Sequence, residues 1–139
     1  GNTATIQAAF AEIYSERSLQ KPTEIASSDL RQKAMNWWEL PGVMDVCKKQ
    51  FPTGDGMHAT ASEVAVTYAG YPDQVRKVEM TPRIAPIGNF RDAEHYRAMF
   101  PDGRIGSDPS QATVEKGNTI IEAAARSLAS QFRSFADAD

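Results

Sequence analysis

The chain is poor in cysteine and histidine: its 139 residues include one cysteine, Cys47, and two histidines, His58 and His95. One cysteine cannot form an internal disulfide, and a lone thiol favours a reducing compartment over secretion. These three side chains are also too few for a closed structural zinc site, which takes four ligands. We therefore expect a cytoplasmic protein in which any metal ion is shared with other residues.

Long apolar runs and clusters of one charge are lacking as well. No stretch approaches the ~18 apolar residues of a membrane span, and no basic segment leads into an apolar run as in a signal peptide. Lysine and arginine are scattered, and the formal net charge is −3. The sequence thus predicts no membrane partner and no nucleic-acid partner. Apolar residues at 41% and charged residues at 24% are ordinary for a globular domain.

Helical spacing of apolar residues recurs along the chain. It predicts an amphipathic helix from Thr3 to about Arg17, a short helix at Val43–Gln50, and a helix from near Ala61 to Tyr71 that Pro72 closes. A single helical turn is expected at residues 92–99. Asp108 followed by Pro109 predicts the N-cap and first position of a long helix with one apolar stripe.

Extended segments are expected between these helices. Loosely alternating residues from Gln32 to Trp38 predict a strand that ends at two tryptophans, and residues 75–87 predict a second extended segment, although Pro82 and Pro86 disfavour a central strand. Residues 18–29 are expected to form a loop. Helices and strands together predict an α/β fold, but so few strands would need others to cover both helix layers.

The stretch from Gly54 to Glu63 brings Asp55, His58 and Glu63 close together at a predicted loop-to-helix junction. Carboxylates and imidazoles are the groups used in metal binding and in acid–base chemistry. A structural interpretation competes for each of them. Thr60 and Glu63 have the spacing of a capping box, Asp55-Gly56 is a common turn, and a lone loop histidine is usually structural or solvated.

The same stretch resembles the "G-D-x-H-A-x-x-x-E-T-S" signature of the creatininase (creatinine amidohydrolase) family. The start of the chain, Gly1-Asn2-Thr3-Ala4, resembles the end of that family's "N-G-H-G-G-N" motif, and residues 103–113 resemble its "G-x-x-G-D-P-x-x-A-T" segment with Ser107 as one extra residue. The resemblance implies a three-layer α/β/α sandwich of creatininase type. Residues 1–139 would then be the C-terminal half of a single domain.

The resemblance also implies a site and its chemistry. Glu63 corresponds to a metal ligand and His58 to a proton-transfer residue. Trp38 and Asp55 are candidate substrate-binding residues from their positions: a tryptophan at a strand end can line a pocket for a planar substrate, although it is equally compatible with a core or rim aromatic, and Asp55 lies on the same loop as His58. Two divalent ions, zinc or manganese, would activate water to cleave the C–N bond of an amide, cyclic amide or formamide. The remaining metal ligands would come from the N-terminal half of the same protein, and the assembly would be a homo-oligomer such as the hexamers that relatives often form.

Three departures from the family pattern leave alternatives open. Ala61 and Val64 replace residues that are commonly acidic or hydroxyl-bearing, which is compatible with a non-catalytic relative that retains only the fold and the oligomer interfaces. Gly54 stands where creatinine-hydrolysing members carry a tryptophan, so creatinine itself is not the expected substrate. The start at Gly1 is compatible with nicking, maturation or a division of one polypeptide into two descriptions.

Overall fold

The computed structural model describes residues 2–19 and 30–138. The chain divides into two compact units, residues 1–36 and 37–139. The first unit contains helix α1, Thr3–Leu19, which confirms the predicted N-terminal helix. Residues 30–36 of this unit have no regular secondary structure, and the loop predicted at 18–29 lies largely outside the described residues. Ile6, Ile13 and Tyr14 on α1 are each about 40% exposed.

The second unit is built from helices joined by structured loops. Its α-helices are α2 (Val43–Gln50), α3 (Ala61–Gly70), α4 (Ala93–Met99) and α5 (Val114–Ala136). Short 3-10 turns occur at Trp37–Glu39, Pro72–Gln74 and Pro109–Gln111. The helices predicted at 43–50, 61–71 and 92–99 are confirmed. None of the helices in residues 2–19 and 30–138 combines the length and apolar content needed to cross a bilayer.

The core of the second unit lies where α2 and α3 pack against α5. Val43, Cys47, Ala65 and Ile120 are fully buried there. Gly117 allows α5 to approach α3 closely, because a Cβ atom at this position would stand 1.9 Å from the carbonyl oxygen of Ala65. The position of α3 is therefore set by a backbone-to-backbone contact with α5.

The predicted three-layer α/β/α sandwich is wrong for this chain. The described residues contain no sheet, and their one strand-type pairing is an isolated antiparallel bridge between His58 and Ile105. Residues 32–36 are irregular, and the tryptophans that were expected to end a strand form a 3-10 turn. Residues 75–87 are irregular as well. A strand needs a partner for its backbone groups, and alternation within one segment does not supply that partner.

The predicted start of the long helix is also corrected. Asp108 caps the 3-10 turn Pro109–Gln111, with its side chain accepting a hydrogen bond from the amide of Ser110. Helix α5 begins later, at Val114, and Thr113 is its N-cap. The Asp-Pro signal therefore marked a short turn that precedes the helix.

In place of a sheet, side chains and backbone bonds join the loops of the second unit. The amide of Met57 donates to the carbonyl of Ile105, and the amide of Asp108 donates to the carbonyl of Gly54. Gly56, with φ +84°, permits this approach, because a Cβ atom there would stand 2.6 Å from the Ile105 carbonyl oxygen. The loop that carries Asp55 and His58 is thus held against residues 105–108.

Arg104 fastens a third segment to these two loops. Its side chain is only 4% exposed, and its guanidinium donates to the carbonyls of Pro82 (2.8 Å), Arg83 (2.9 Å) and Ser107 (3.0 Å). Asp102 accepts a further bond from its Nε at 2.8 Å, and this bond lowers the pKa of the Asp102 carboxyl group. The buried cation is therefore paired and hydrogen-bonded, as burial of a charge requires.

Candidate functional site

The candidate site begins at the first turn of α3. The amides of this turn that have no acceptor within the helix each donate to another group. The amide of Ala61 donates to the Asp55 carbonyl at 3.3 Å, and the amide of Ser62 donates to Asp55 Oδ1 at 2.8 Å. The amide of Glu63 donates to Thr60 Oγ1 at 3.0 Å. Free amides at a helix N-terminus can bind an anion, but these amides already have acceptors. The backbone of this turn is already committed, so its side chains must supply any chemistry.

Glu63 takes part in the capping box expected from the sequence. Its Oε2 accepts from the amide of Thr60 at 3.2 Å and from Thr60 Oγ1 at 3.0 Å. Oε1 accepts neither bond, and the residue is exposed. Capping and metal binding are therefore compatible, because they use different oxygens of one carboxylate. The role of Glu63 as a metal ligand stays a prediction.

Asp55 supports the start of α3. Its two carboxylate oxygens accept from the amide and the hydroxyl of Ser62, at 2.8 and 3.1 Å. Both oxygens are thus used within the loop-to-helix junction. This contact spans seven residues and is not an Asp-Gly turn, and a substrate-binding role for Asp55 stays a prediction.

Trp38, Asp55 and Glu63 line one pocket of about 240 Å³. Trp37 and Trp38 form one side of it, with ring centroids 5.5 Å apart and planes almost perpendicular, and Trp38 is 39% exposed. The other lining residues are Met44, Gly56, Met57, Thr60 and Ser62. Two indoles beside a carboxylate suit a small planar polar molecule. The structure therefore brings together three of the four predicted site residues.

His58 is the fourth predicted residue, and it is not among those that line this pocket. Its backbone carbonyl accepts from Ser107 Oγ at 2.7 Å and from the amide of Ile105 at 3.3 Å, while its exposed ring lies edge-on to Tyr96 with centroids 6.4 Å apart. Ala59, with φ 51°, follows it. A non-glycine residue with positive φ is uncommon and clusters at functional sites. This turn separates the imidazole from Thr60 and the helix.

Cys47 lies beneath the pocket as a buried thiol. Burial raises its pKa to about 11, the charge of Asp55 adds to the rise, and a hydrogen bond with Ser62 lowers it. The thiol is therefore protonated near neutral pH, and it is not a nucleophile or a soft metal ligand in this state.

Two serines also organise the site, and the sequence patterns did not indicate either of them. Ser62 donates to both carboxylate oxygens of Asp55, from its amide and from its hydroxyl. Ser107, the extra residue in the family-like segment, anchors the backbone of His58. No short-range pattern identifies these contacts, since Ser107 and His58 are far apart in sequence. Asp55 and Ser62 are seven residues apart, and no capping motif has that spacing.

Gly54 has little room for the tryptophan found in creatinine-hydrolysing members. Its φ is +71°, and a Cβ atom would stand 2.9 Å from Gln111 Nε2 and 3.2 Å from Asp108 Cβ. Asp108 is held by Arg83 and Ser110; burial opposes its charged form, but these hydrogen bonds outweigh burial and lower its pKa. A bulky side chain at position 54 would therefore displace a fixed neighbour.

In this pocket, Glu63 Oε1 is an oxygen suited to bind a metal ion. Within residues 2–19 and 30–138, no three histidine, cysteine, aspartate or glutamate side chains converge as a ligand group. Glu63 Oε1 is a hard donor on a side chain that Thr60 already orients, which fits one position of a carboxylate-containing divalent site. The described residues therefore do not make a complete metal site, and Glu63 Oε1 is compatible with one position of such a site.

Comparison with known families extends beyond the short motifs. The family model for creatininase, described as creatinine amidohydrolase, matches residues 1–132. No curated protein matches the chain. The family's description supports a hydrolase of the amidohydrolase class. The resemblance seen in the loop before α3 is confirmed over nearly the whole sequence, and the chain belongs to the creatininase family.

Proposed function

We propose that this chain is part of a metal-dependent amidohydrolase that cleaves the C–N bond of an amide, cyclic amide or formamide. The family match supports the reaction class. The observation that carries the proposal is Glu63, which lies in a tryptophan-lined pocket with one carboxylate oxygen engaged by Thr60 and the other left for a ligand. When bound, the divalent ions, zinc or manganese, supply Lewis acidity and activated water.

The residues of this chain have distinct tasks in the proposal. Glu63 would hold one of the ions through its carboxylate. Trp38 stacks on the planar amide and, with Trp37, limits access of bulk water to it. Asp55 keeps the first turn of α3 in place through Ser62. His58 transfers a proton to or from the leaving nitrogen, because an imidazole can both accept and donate a proton.

The proposal includes partners. An N-terminal segment of the same protein supplies the other metal ligands, and the protein works as a cytoplasmic homo-oligomer.

A substitution at Glu63 separates metal binding from capping. Gln also serves at this position of a capping box, so Glu63→Gln retains an oxygen that can complete the box while it removes the charge. We expect the full-length variant to keep nearly native stability and to bind Zn²⁺ or Mn²⁺ at least about tenfold more weakly in calorimetric titration. Glu63→Ala should lose metal affinity and also about 1 kcal/mol of stability.

The matched control is Glu115→Gln, a first-turn carboxylate on α5 that does not line this pocket. It should bind metal like the native protein. Native affinity in Glu63→Gln would contradict the ligand role and leave Glu63 as a cap. A native protein that binds no divalent ion and releases no amine or ammonia from amides, cyclic amides or formamides would favour the non-catalytic alternative.

A further inference from the structure

The hydroxyl of Thr60 makes more contacts than an N-cap needs. As a cap it accepts from the amide of Glu63 at 3.0 Å. It also contacts Glu63 Oε2 at 3.0 Å, and the Thr60 amide reaches the same oxygen at 3.2 Å. An exposed glutamate ordinarily samples several rotamers and loses that freedom when it binds. Here two bonds from one residue restrict the carboxylate before any ligand arrives.

Ser62 lies beside Thr60 on its other side. Ser62 Oγ is 3.1 Å from Thr60 Oγ1, but each hydroxyl gives its one hydrogen to a carboxylate, Ser62 to Asp55 and Thr60 to Glu63. Asp55 also accepts from the amide of Ser62, and Ser62 is only 5% exposed, so this side of the Thr60 hydroxyl is partly shielded from water. The hydrogen of Thr60 Oγ1 is therefore committed to Glu63.

From these contacts we propose that Thr60 is a positioning residue for the Glu63 carboxylate, keeping Oε1 in a fixed orientation for a divalent cation, while Asp55 fixes the start of the helix through the Ser62 amide. This inference rests on the proposed function, because it requires Glu63 to be a ligand. Removing the hydroxyl restores rotamer freedom to Glu63, and that freedom must then be lost on binding. We expect metal affinity about tenfold weaker, which corresponds to about 1.4 kcal/mol.

The test measures Zn²⁺ and Mn²⁺ dissociation constants of the full-length protein by calorimetry, together with urea unfolding. Thr60→Val removes the hydroxyl at nearly constant shape. Thr60→Ser keeps the hydroxyl and should restore native affinity. Thr60→Gly removes the hydroxyl while costing the cap only a few tenths of a kcal/mol, so this variant remains informative if Thr60→Val folds poorly.

The matched control is Thr113→Val, which removes the equivalent cap of α5, where Thr113 accepts from the amide of Lys116 at 3.2 Å. It should lose stability like Thr60→Val but keep native metal affinity. Weaker binding in Thr60→Val and Thr60→Gly, with native binding in Thr60→Ser and Thr113→Val, would support the positioning role.

Two other outcomes overturn the inference in distinguishable ways. If Glu63→Gln weakens metal binding but Thr60→Val and Thr60→Gly do not, Glu63 is a ligand that needs no positioning by Thr60. The proposed function then survives. If Glu63→Gln itself binds metal like the native protein, the ligand role fails and the positioning role fails with it.

Discussion

Gly117→Ala should strongly destabilise the second unit, although alanine is the better helix former. A Cβ atom at position 117 would stand 1.9 Å from the carbonyl oxygen of Ala65, 2.6 Å from its carbonyl carbon and 2.8 Å from Ala69 Cβ. The first two atoms belong to the backbone, so rotation of a side chain cannot relieve the clash. An ordinary contact begins at 3.4 Å, and α3 and α5 must therefore move apart by about 1.5 Å along this line.

Two opposing contributions set the magnitude. Replacing glycine by alanine in a helix interior gains about 1 kcal/mol. Overpacking a close-packed core costs typically about 1–3 kcal/mol, and a backbone clash beside the fully buried Ala65 and Ile120 belongs at the upper end. We expect a net loss of about 2 kcal/mol. With a urea m-value of about 2 kcal/mol/M, the unfolding midpoint should fall by about 1 M.

Urea unfolding followed by circular dichroism measures this change, and Gly70→Ala is the matched control. Gly70 ends α3, and a Cβ atom there would meet nothing within 4 Å. This control should be neutral or slightly stabilising. If Gly117→Ala were as stable as Gly70→Ala, the two helices could not be in backbone contact, and the reasoning about the position of α3 would be refuted.

Two further predictions concern buried polar groups. Between pH 9.0 and 11, the free energy of unfolding should fall more in the native protein than in Cys47→Ala, by up to about 3 kcal/mol. The reason is that the thiol ionises near pH 9.0 in the unfolded chain, whereas the buried thiol keeps its proton up to about pH 11. Parallel pH profiles of the two proteins in urea unfolding would contradict this. Arg104→Lys should cost about 2 kcal/mol or more, because an ammonium cannot reproduce the planar fork that reaches three backbone carbonyls, whereas Arg97→Lys on the exposed face of α4 should be neutral. Equal unfolding midpoints for the two arginine variants would refute the second prediction.

Local signals in the sequence were sufficient for some elements and not for others. Pro72 and the Thr60–Glu63 capping box mark α3 correctly, because both act within one turn of the helix. The alternation from Gln32 to Trp38 was misleading, since a strand depends on a neighbour that the segment itself does not specify. Asp108-Pro109 predicted a helix start but opens only a 3-10 turn.

For the site, too, local signals in the sequence were sufficient for some residues and not for others. The family-like motif indicated Glu63, which lines a pocket with Trp38, but it did not indicate that His58 would be outside that pocket. Arg104 is a charged residue between Gly103 and Gly106, and a residue of this type is ordinarily expected at the surface. Its burial depends on carbonyls more than 20 residues away, and no pattern in its own segment reports them.

The way Arg104 joins its loops bears on how this part of the chain can vary. Its three carbonyl partners are main-chain groups, which remain present whatever side chains occupy positions 82, 83 and 107. As far as this interaction is concerned, those positions can drift in residue type but not in spacing, because one inserted or deleted residue would move a carbonyl out of reach. The exposed residues 75–79 are under no such constraint from Arg104. Length changes among relatives should therefore be tolerated before position 80 but not within residues 82–83 or 104–107.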